Sequence, residues 1–550
     1  MTLWTPRAAR FAALGATAIA AALAVVRHLD YAVSTMTTSG RDWSHHLPRA
    51  ARVLAAGFRP ERVLSFYDDA RISDATMNWP PLGHVVAAAF MAPGRIDPAA
   101  AYYASQAIWI AVLVASLYGA GRRLGGSPLA GLAAAFLGGL TVPVLSVARQ
   151  LNLEFAATAS VALALYGFTL SRSLTSTAGS VALGLFCGIA FLVKPVTFAY
   201  LVPFLAAAFV LPPEGGIDWK RRGANLMLAA LVATLVCGAL YVPRVGAVLW
   251  VQKTQSRDVA TSWRENLAVF TRYMAVEMLS PAAWALTLAA LAASLARRDR
   301  LVAGLLLAAG TTFAYLLTLY YDPTNSAFYL PYAILAALVV ARAFRLVPRW
   351  ARAAVTAVAC AVVLAPPAEP RAPERPGLLT RALYSRDSRT SRPLVGLPLP
   401  GGGDAGLWSL RPVFAGRYAA YGPEDLGVLV QDYDLSVDVQ AAASMARSLD
   451  LGQWNAPVSI ANCLYVVGDP RRERWRLSCA LGRSLIVAAW PVEPGAPREA
   501  EPEAMRVVLE RVRRAHRLDL VLDPPPDPRG GNPRASRFAF FVRNDEGPHP

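Results

Sequence analysis

The sequence predicts a polytopic α-helical membrane protein of about eleven transmembrane helices, followed by a C-terminal extracytoplasmic α+β domain. Three observations predict it. First, the 550 residues are 55% hydrophobic and only 17% charged, with a mean hydropathy of +0.37, whereas soluble domains carry about a quarter charged residues. Second, apolar runs approach the ~20 residues that cross a bilayer. Third, the basic residues cluster in short loops between those runs, as the positive-inside rule requires.

The runs lie near 11–32, 101–120, 128–147, 154–171, 178–194, 196–211, 223–243, 281–296, 301–320, 327–344 and 350–366. The first has basic residues before it but lacks a small-residue cleavage site after it, so it reads as a retained span. Leu82 to Pro93 is too short to cross and reads as an interfacial or re-entrant helix.

The formal charge is +17, and the only lysines are Lys194, Lys220 and Lys253. A basic excess often marks nucleic-acid binding, but here it follows membrane topology, and no nucleic acid partner is expected. With the N-terminus inside, the cytoplasmic loops hold Arg122-Arg123, Arg172, Lys220-Arg221-Arg222, Arg297-Arg298-Arg300 and the arginines at 342, 345, 349 and 352. Counting Leu82 to Pro93 as a span would move all of these outside, so eleven spans fit the charges better. Residues 33–100 and 244–280 then form long external loops. Asp42, Glu154, Lys194, Arg244, Arg257, Arg264 and Arg272 share the external face.

Residues 1–366 thus form the membrane domain and 367–400 a Pro/Gly-rich linker opening on Pro366-Pro367. Residues 401–550 form the extracytoplasmic domain. In it, Leu426 to Gln431, Val458 to Val467, Leu477 to Trp490, Leu518 to Leu522 and Phe538 to Val542 read as strands, and Val439 to Ser448 and Glu503 to His516 as helices. Cys187, Cys237 and Cys360 sit in apolar spans as small hydrophobes. Cys463 and Cys479 pair only if the compartment is oxidising.

Acidic residues at the rim of apolar spans cost free energy unless solvated or paired, so they are functional candidates. Asp42 lies in Gly40-Arg41-Asp42-Trp43, before an amphipathic segment with Leu47, Ala51, Leu54 and Phe58 at helical steps. A plain N-cap explains it as well as a catalytic role does. Glu154 opens the fourth span after Arg149, so it is either a helix-start acid paired with that arginine or a site residue. His84 follows Pro80-Pro81 and reads as an interfacial polar residue rather than a metal ligand, since no second ligand sits at helical spacing. Lys194, before Pro195, either snorkels to the interface or contacts a phosphate as a compact point charge. Tyr320, Tyr321 and Tyr329 suit an aromatic belt or the site.

In order, these segments resemble the GT-C glycosyltransferases, especially the protein mannosyltransferases and the bacterial aminoarabinose transferases of lipid A. The resemblance covers roughly residues 1–345. It rests on Asp42, Pro80-Pro81-Leu82, Glu154 after Arg149, Leu192-Val193-Lys194-Pro195 and Tyr329-Leu330-Pro331. Where the family often has histidine or lysine before the double proline this chain has Trp79, and Pro195 stands where glycine often follows the lysine.

The resemblance implies an enzyme of the plasma (inner) membrane. It would move a hexosyl or pentosyl group from a polyprenyl-phosphate donor to an envelope lipid, glycan or protein, with inversion. Asp42 would be the general base, with Glu154 supporting it or orienting the acceptor. Lys194 and then Arg149 would meet the leaving phosphate, with Arg257, Arg264 and Arg272 in reserve. Asp42 and Glu154 together would suit Mg²⁺ or Mn²⁺, if a divalent cation is used. The alternative is a multi-pass lipid or glycan transporter or flippase. That reading predicts repeated halves with paired broken helices and ionisable groups at mid-bilayer, whereas these ionisable residues lie at the rim.

Overall fold

In the computed structural model, the described residues are 6–34, 43–65, 80–93, 98–148, 153–211, 218–246, 267, 271, 279–319, 329–364, 413–414, 416–421, 425–431, 439, 464–467, 473–492, 501–522 and 535–545. Asp42, Arg149, Arg257, Arg264, Arg272, Tyr320, Tyr321 and Cys463 lie outside them.

The helices are α1 (Pro6–Ser34), α2 (Trp43–Ala55), α3 (Pro60–Ser65), α4 (Pro81–Met91), α5 (Pro98–Gly125), α6 (Pro128–Gly139), α7 (Val142–Ala148) and α8 (Glu154–Leu170). Then come α9 (Thr177–Val193), α10 (Thr197–Val210), α11 (Trp219–Tyr241), α12 (Pro281–Ala296), α13 (Arg300–Leu319), α14 (Leu330–Ala343) and α15 (Arg349–Leu364). Helix occupies each of the eleven predicted windows, but the third is split into α6 and α7, where Thr141 precedes Pro143. Two helical stretches, Ala101–Gly125 and Trp219–Arg244, are long and apolar enough to cross a membrane by themselves. Most of the others are apolar stretches of 10–17 residues, short of ~30 Å of hydrocarbon at ~1.5 Å per residue. Among the described residues, apolar length alone therefore picks out two spans.

The helices pack around one apolar core drawn from α1 and α5 through α15. Close approaches depend on small residues. Gly184 and Gly188, four apart on α9, leave no room for a Cβ against the Ala229 carbonyl and Val236 of α11, the small-xxx-small packing of membrane helices. Gly83 of α4 lies so near Leu153, the residue before α8, that a Cβ there would overlap its side chain.

The α8–α9 hairpin gives the bundle two ends. At its turn, Arg172, Ser173 and Leu174 all have positive φ, a conformation that costs a non-glycine residue about 1–2 kcal/mol. Side chains of α11 hold that turn: Arg222 donates to the Ser173 and Ala208 carbonyls (3.1 and 2.6 Å) and Asn225 to the Leu174 carbonyl (2.9 Å). Asp299, whose side chain is 6% exposed, caps α13 and pairs with Arg342 of α14 at 2.6 Å. The arginines read as cytoplasmic loop charges thus include two, Arg222 and Arg342, that tie helix ends together.

The C-terminal part folds around a five-stranded sheet: β1 (Leu426–Val430), β2 (Leu464–Val466), β3 (Leu485–Val492), β4 (His516–Leu522) and β5 (Ala535–Arg543). The order is β2-β1-β3-β5-β4, with β1 parallel to β2 and β3, and β5 antiparallel to β3 and β4. Helices α16 (Glu473–Leu481) and α17 (Glu503–Ala515) pack here. Both faces are covered: Leu485, Val487 and Ala489 meet Phe414, Tyr418 and Tyr421, while Ile486, Ala488 and Trp490 meet Leu477, Met505 and Leu509. The predicted strand Leu477 to Trp490 is instead helix then strand. Leu477 and Ala480 bury one helical face, and a short apolar run does not distinguish the two by periodicity. Cys479 is disulfide-bonded, and Cys187, Cys237 and Cys360 are free.

A clasp holds the edge of this sheet. Arg417 grips both carboxylate oxygens of Asp519 (2.8 and 2.9 Å) and its carbonyl (3.3 Å), and the Tyr418 hydroxyl donates to the same carboxylate at 2.7 Å. The Arg417 hydrogen bonds hold the Asp519 carboxyl below its ordinary range. Burial, then the Asp519 carboxylate, pushes the Tyr418 hydroxyl up.

Candidate active site

At the end of the hairpin opposite the turn, Glu154 opens α8 and Lys194 closes α9. Lys194 precedes Pro195, and a residue before proline is driven out of the helical region; its backbone is extended (φ −160°, ψ 134°). The Thr197 hydroxyl, in the first turn of α10, donates to the Lys194 carbonyl at 2.7 Å and fixes this corner. Lys194 Nζ donates to Glu154 Oε1. The side chains are 5% and 2% exposed. Neither single-residue reading of Lys194 or Glu154 anticipated this: the ammonium is sealed against a carboxylate rather than snorkelling, and Glu154 pairs with a lysine 40 residues away. Such a pair is electrically balanced, and disturbing either partner leaves an expensive charge behind.

A second buried polar contact joins α2 and α4. His84, on the first turn of α4, is 1% exposed, and its Nε2 lies 3.0 Å from Nδ1 of His46, itself fully buried on the first turn of α2. Ala50 of α2, Ala87 and Met91 of α4 and Tyr102 of α5 form a buried apolar cluster on the same helices, and His84 is buried in protein rather than exposed at its surface. Burial, then the Arg49 charge, pulls the His84 imidazole down to about 3, so it is neutral. His46 carried no signal in the sequence, because the partner that makes it notable is 38 residues away.

Tyr329, at the leading end of α14, is 3% exposed and so is packed in the bundle rather than set in an exposed belt. Arg244 reaches the Leu64 carbonyl at the end of α3 (3.2 Å). Among the described residues, no three His, Cys, Asp or Glu side chains converge.

Residues 78–241, which include His84, Glu154 and Lys194, match the family model for dolichyl-phosphate-mannose-protein mannosyltransferase. The fold is similar to ArnT from Cupriavidus metallidurans in the apo state, at 14% identity and a TM-score of 0.52, covering 96% of this chain and 98% of that one. The same protein bound to undecaprenyl phosphate superposes with a TM-score of 0.50, again at 14% identity over 96% and 98% of the two chains. The archaeal oligosaccharyltransferase AglB from Archaeoglobus fulgidus, in complex with an inhibitory peptide and a dolichol-phosphate, gives 0.49 at 13% identity, over 87% of this chain and 69% of that one. No curated protein sequence matches the chain. The helix order, the likeness to ArnT along nearly its whole length and the matched segment around Glu154 and Lys194 together make this chain a GT-C-fold protein.

Proposed function

We propose that the chain is a membrane glycosyltransferase that moves a sugar from a polyprenyl-phosphate donor to an envelope acceptor, with inversion at the anomeric carbon. The observation that supports it best is the buried Glu154–Lys194 pair, inside the segment that matches the mannosyltransferase family. ArnT, of the same fold, has been solved with undecaprenyl phosphate.

The chemistry needs a base at the acceptor hydroxyl and a cation at the departing phosphate. Asp42, immediately before α2, is the proposed base. Lys194 is the proposed phosphate contact. As the glycosidic bond breaks, negative charge gathers on the phosphate oxygen, and an ammonium already desolvated by the protein meets it with little reorganisation. Glu154 holds that ammonium in place between turnovers. Arg149 and the arginines at 257, 264 and 272 would add to the phosphate field, and a divalent cation on Asp42 and Glu154 is a further proposal. The chain would lie in the plasma membrane with this end of the bundle outside.

The test uses membranes carrying wild type, Asp42→Asn or Lys194→Met at matched expression, supplied with labelled polyprenyl-phosphate sugars and native envelope acceptors. Transfer by wild type that is lost in both variants is the expected result. Transfer retained by Lys194→Met would overturn the phosphate assignment. No transfer by wild type from a broad donor panel would overturn the function.

A further inference from the structure

The His46–His84 contact joins two elements that the sequence keeps apart. α2 begins one residue after Asp42. α4 carries His84 next to Gly83, which presses on Leu153, the residue before Glu154. Both histidines are the fourth residue of their helices, and their rings lie 5.2 Å apart at 31°. Such a contact needs one imidazole to donate and the other to accept, which requires at least one to be neutral. A hydrophobic contact of the same size would hold the helices together without fixing their rotation or register. A hydrogen bond fixes both.

We propose that His46 and His84 are positioning residues: their hydrogen bond locks the start of α2 to the start of α4, and so fixes α2 relative to the helix whose Gly83 lies against Leu153, the residue before Glu154. This rests on the transferase reading of the site. Both imidazoles are buried, and their role is to hold rather than to react. Among the described residues, the groups near the clasp include Arg49 on α2 and Tyr102 of α5, whose ring centre is 6.4 Å from that of His46. Burial keeps His84 neutral against the Arg49 charge, so the clasp persists through the physiological range.

The experiment compares the full chain in detergent with His84→Phe, His46→Phe and the doubly substituted protein, plus His84→Gln, which keeps an amide able to bond. Two readouts are taken: hydrogen exchange of α2 peptides, and kcat and KM for a polyprenyl-phosphate sugar. The expected result is faster exchange confined to α2 and kcat lower by about 10²-fold with donor KM little changed, as ~1 Å of misplacement produces. The double variant should be no worse than either single one, and His84→Gln should recover most of kcat. Unchanged α2 exchange in His84→Phe would overturn the clasp whatever the activity. Loosened α2 with unchanged kcat would overturn the positioning role. Loosened α2 in a protein whose wild type transfers no sugar would overturn the transferase reading, and the catalytic consequence with it, while leaving the clasp standing.

Discussion

Lys194 and Glu154 form a salt bridge from opposite strands of a helical hairpin, each nearly sealed from solvent. A buried pair stabilises little relative to apolar replacements of similar volume, but breaking it by removing one partner costs about 3–5 kcal/mol. Glu154→Gln should therefore lower stability by that order, read as a melting shift in detergent. Adding Lys194→Met should restore much of the loss, because no uncompensated charge is left. The double variant should still be inactive in transfer, which separates folding from chemistry.

The burial of His84 sets a pH dependence. Its imidazole titrates near 3 when folded and near 6.5 when unfolded, where it binds a proton more readily. Its contribution is thus fully present above pH 6.5 and is lost as pH falls toward 3, with a limiting slope of about 1.4 kcal/mol per pH unit. Denaturant midpoints of wild type and His84→Phe between about pH 4 and 7 check this: the variant should show the shallower acid slope.

Two glycines should respond in opposite ways to one methyl group. Gly184→Ala pushes α9 off the Ala229 carbonyl of α11, and overpacking of this kind costs about 1–3 kcal/mol. Gly223→Ala, on α11, adds its methyl to open space and should be neutral or stabilising by up to ~1 kcal/mol through helix propensity. Thermal melts of the two variants side by side test the contrast.

The Arg417–Asp519 clasp is partly solvated, so its effect should be local rather than global. Asp519→Ala should raise hydrogen exchange across residues 416–421 while the strands β1 and β3 stay protected. The Asp519 carboxyl is held low in the folded protein. Its contribution is present above its ordinary pKa of about 3.8 and fades as pH falls through the lower folded value.

Helix positions were legible in the sequence because apolar runs and arginine clusters report on a chain one segment at a time. Glu154 and Lys194 were legible as unusual residues for the same reason, each being a charge in apolar surroundings. Their pairing was not, since it depends on α8 and α9 folding back on one another. His46 shows the limit more sharply: a histidine within a polar, amphipathic segment is unremarkable until the neighbour that buries it is known. In the C-terminal part, Leu477 to Trp490 misled because a helix face and a strand core use the same apolar residues.

The outer edge of β4 bears on how copies of this molecule tolerate one another. An outermost strand normally offers a row of amide groups on which a second chain can grow as a new strand. Here the ladder slips between Leu518 and Leu520. The carbonyl of the residue between them, Asp519, is taken by a side chain of the same molecule. The β4 border of the sheet is thereby a poorer template for strand addition from a neighbouring copy.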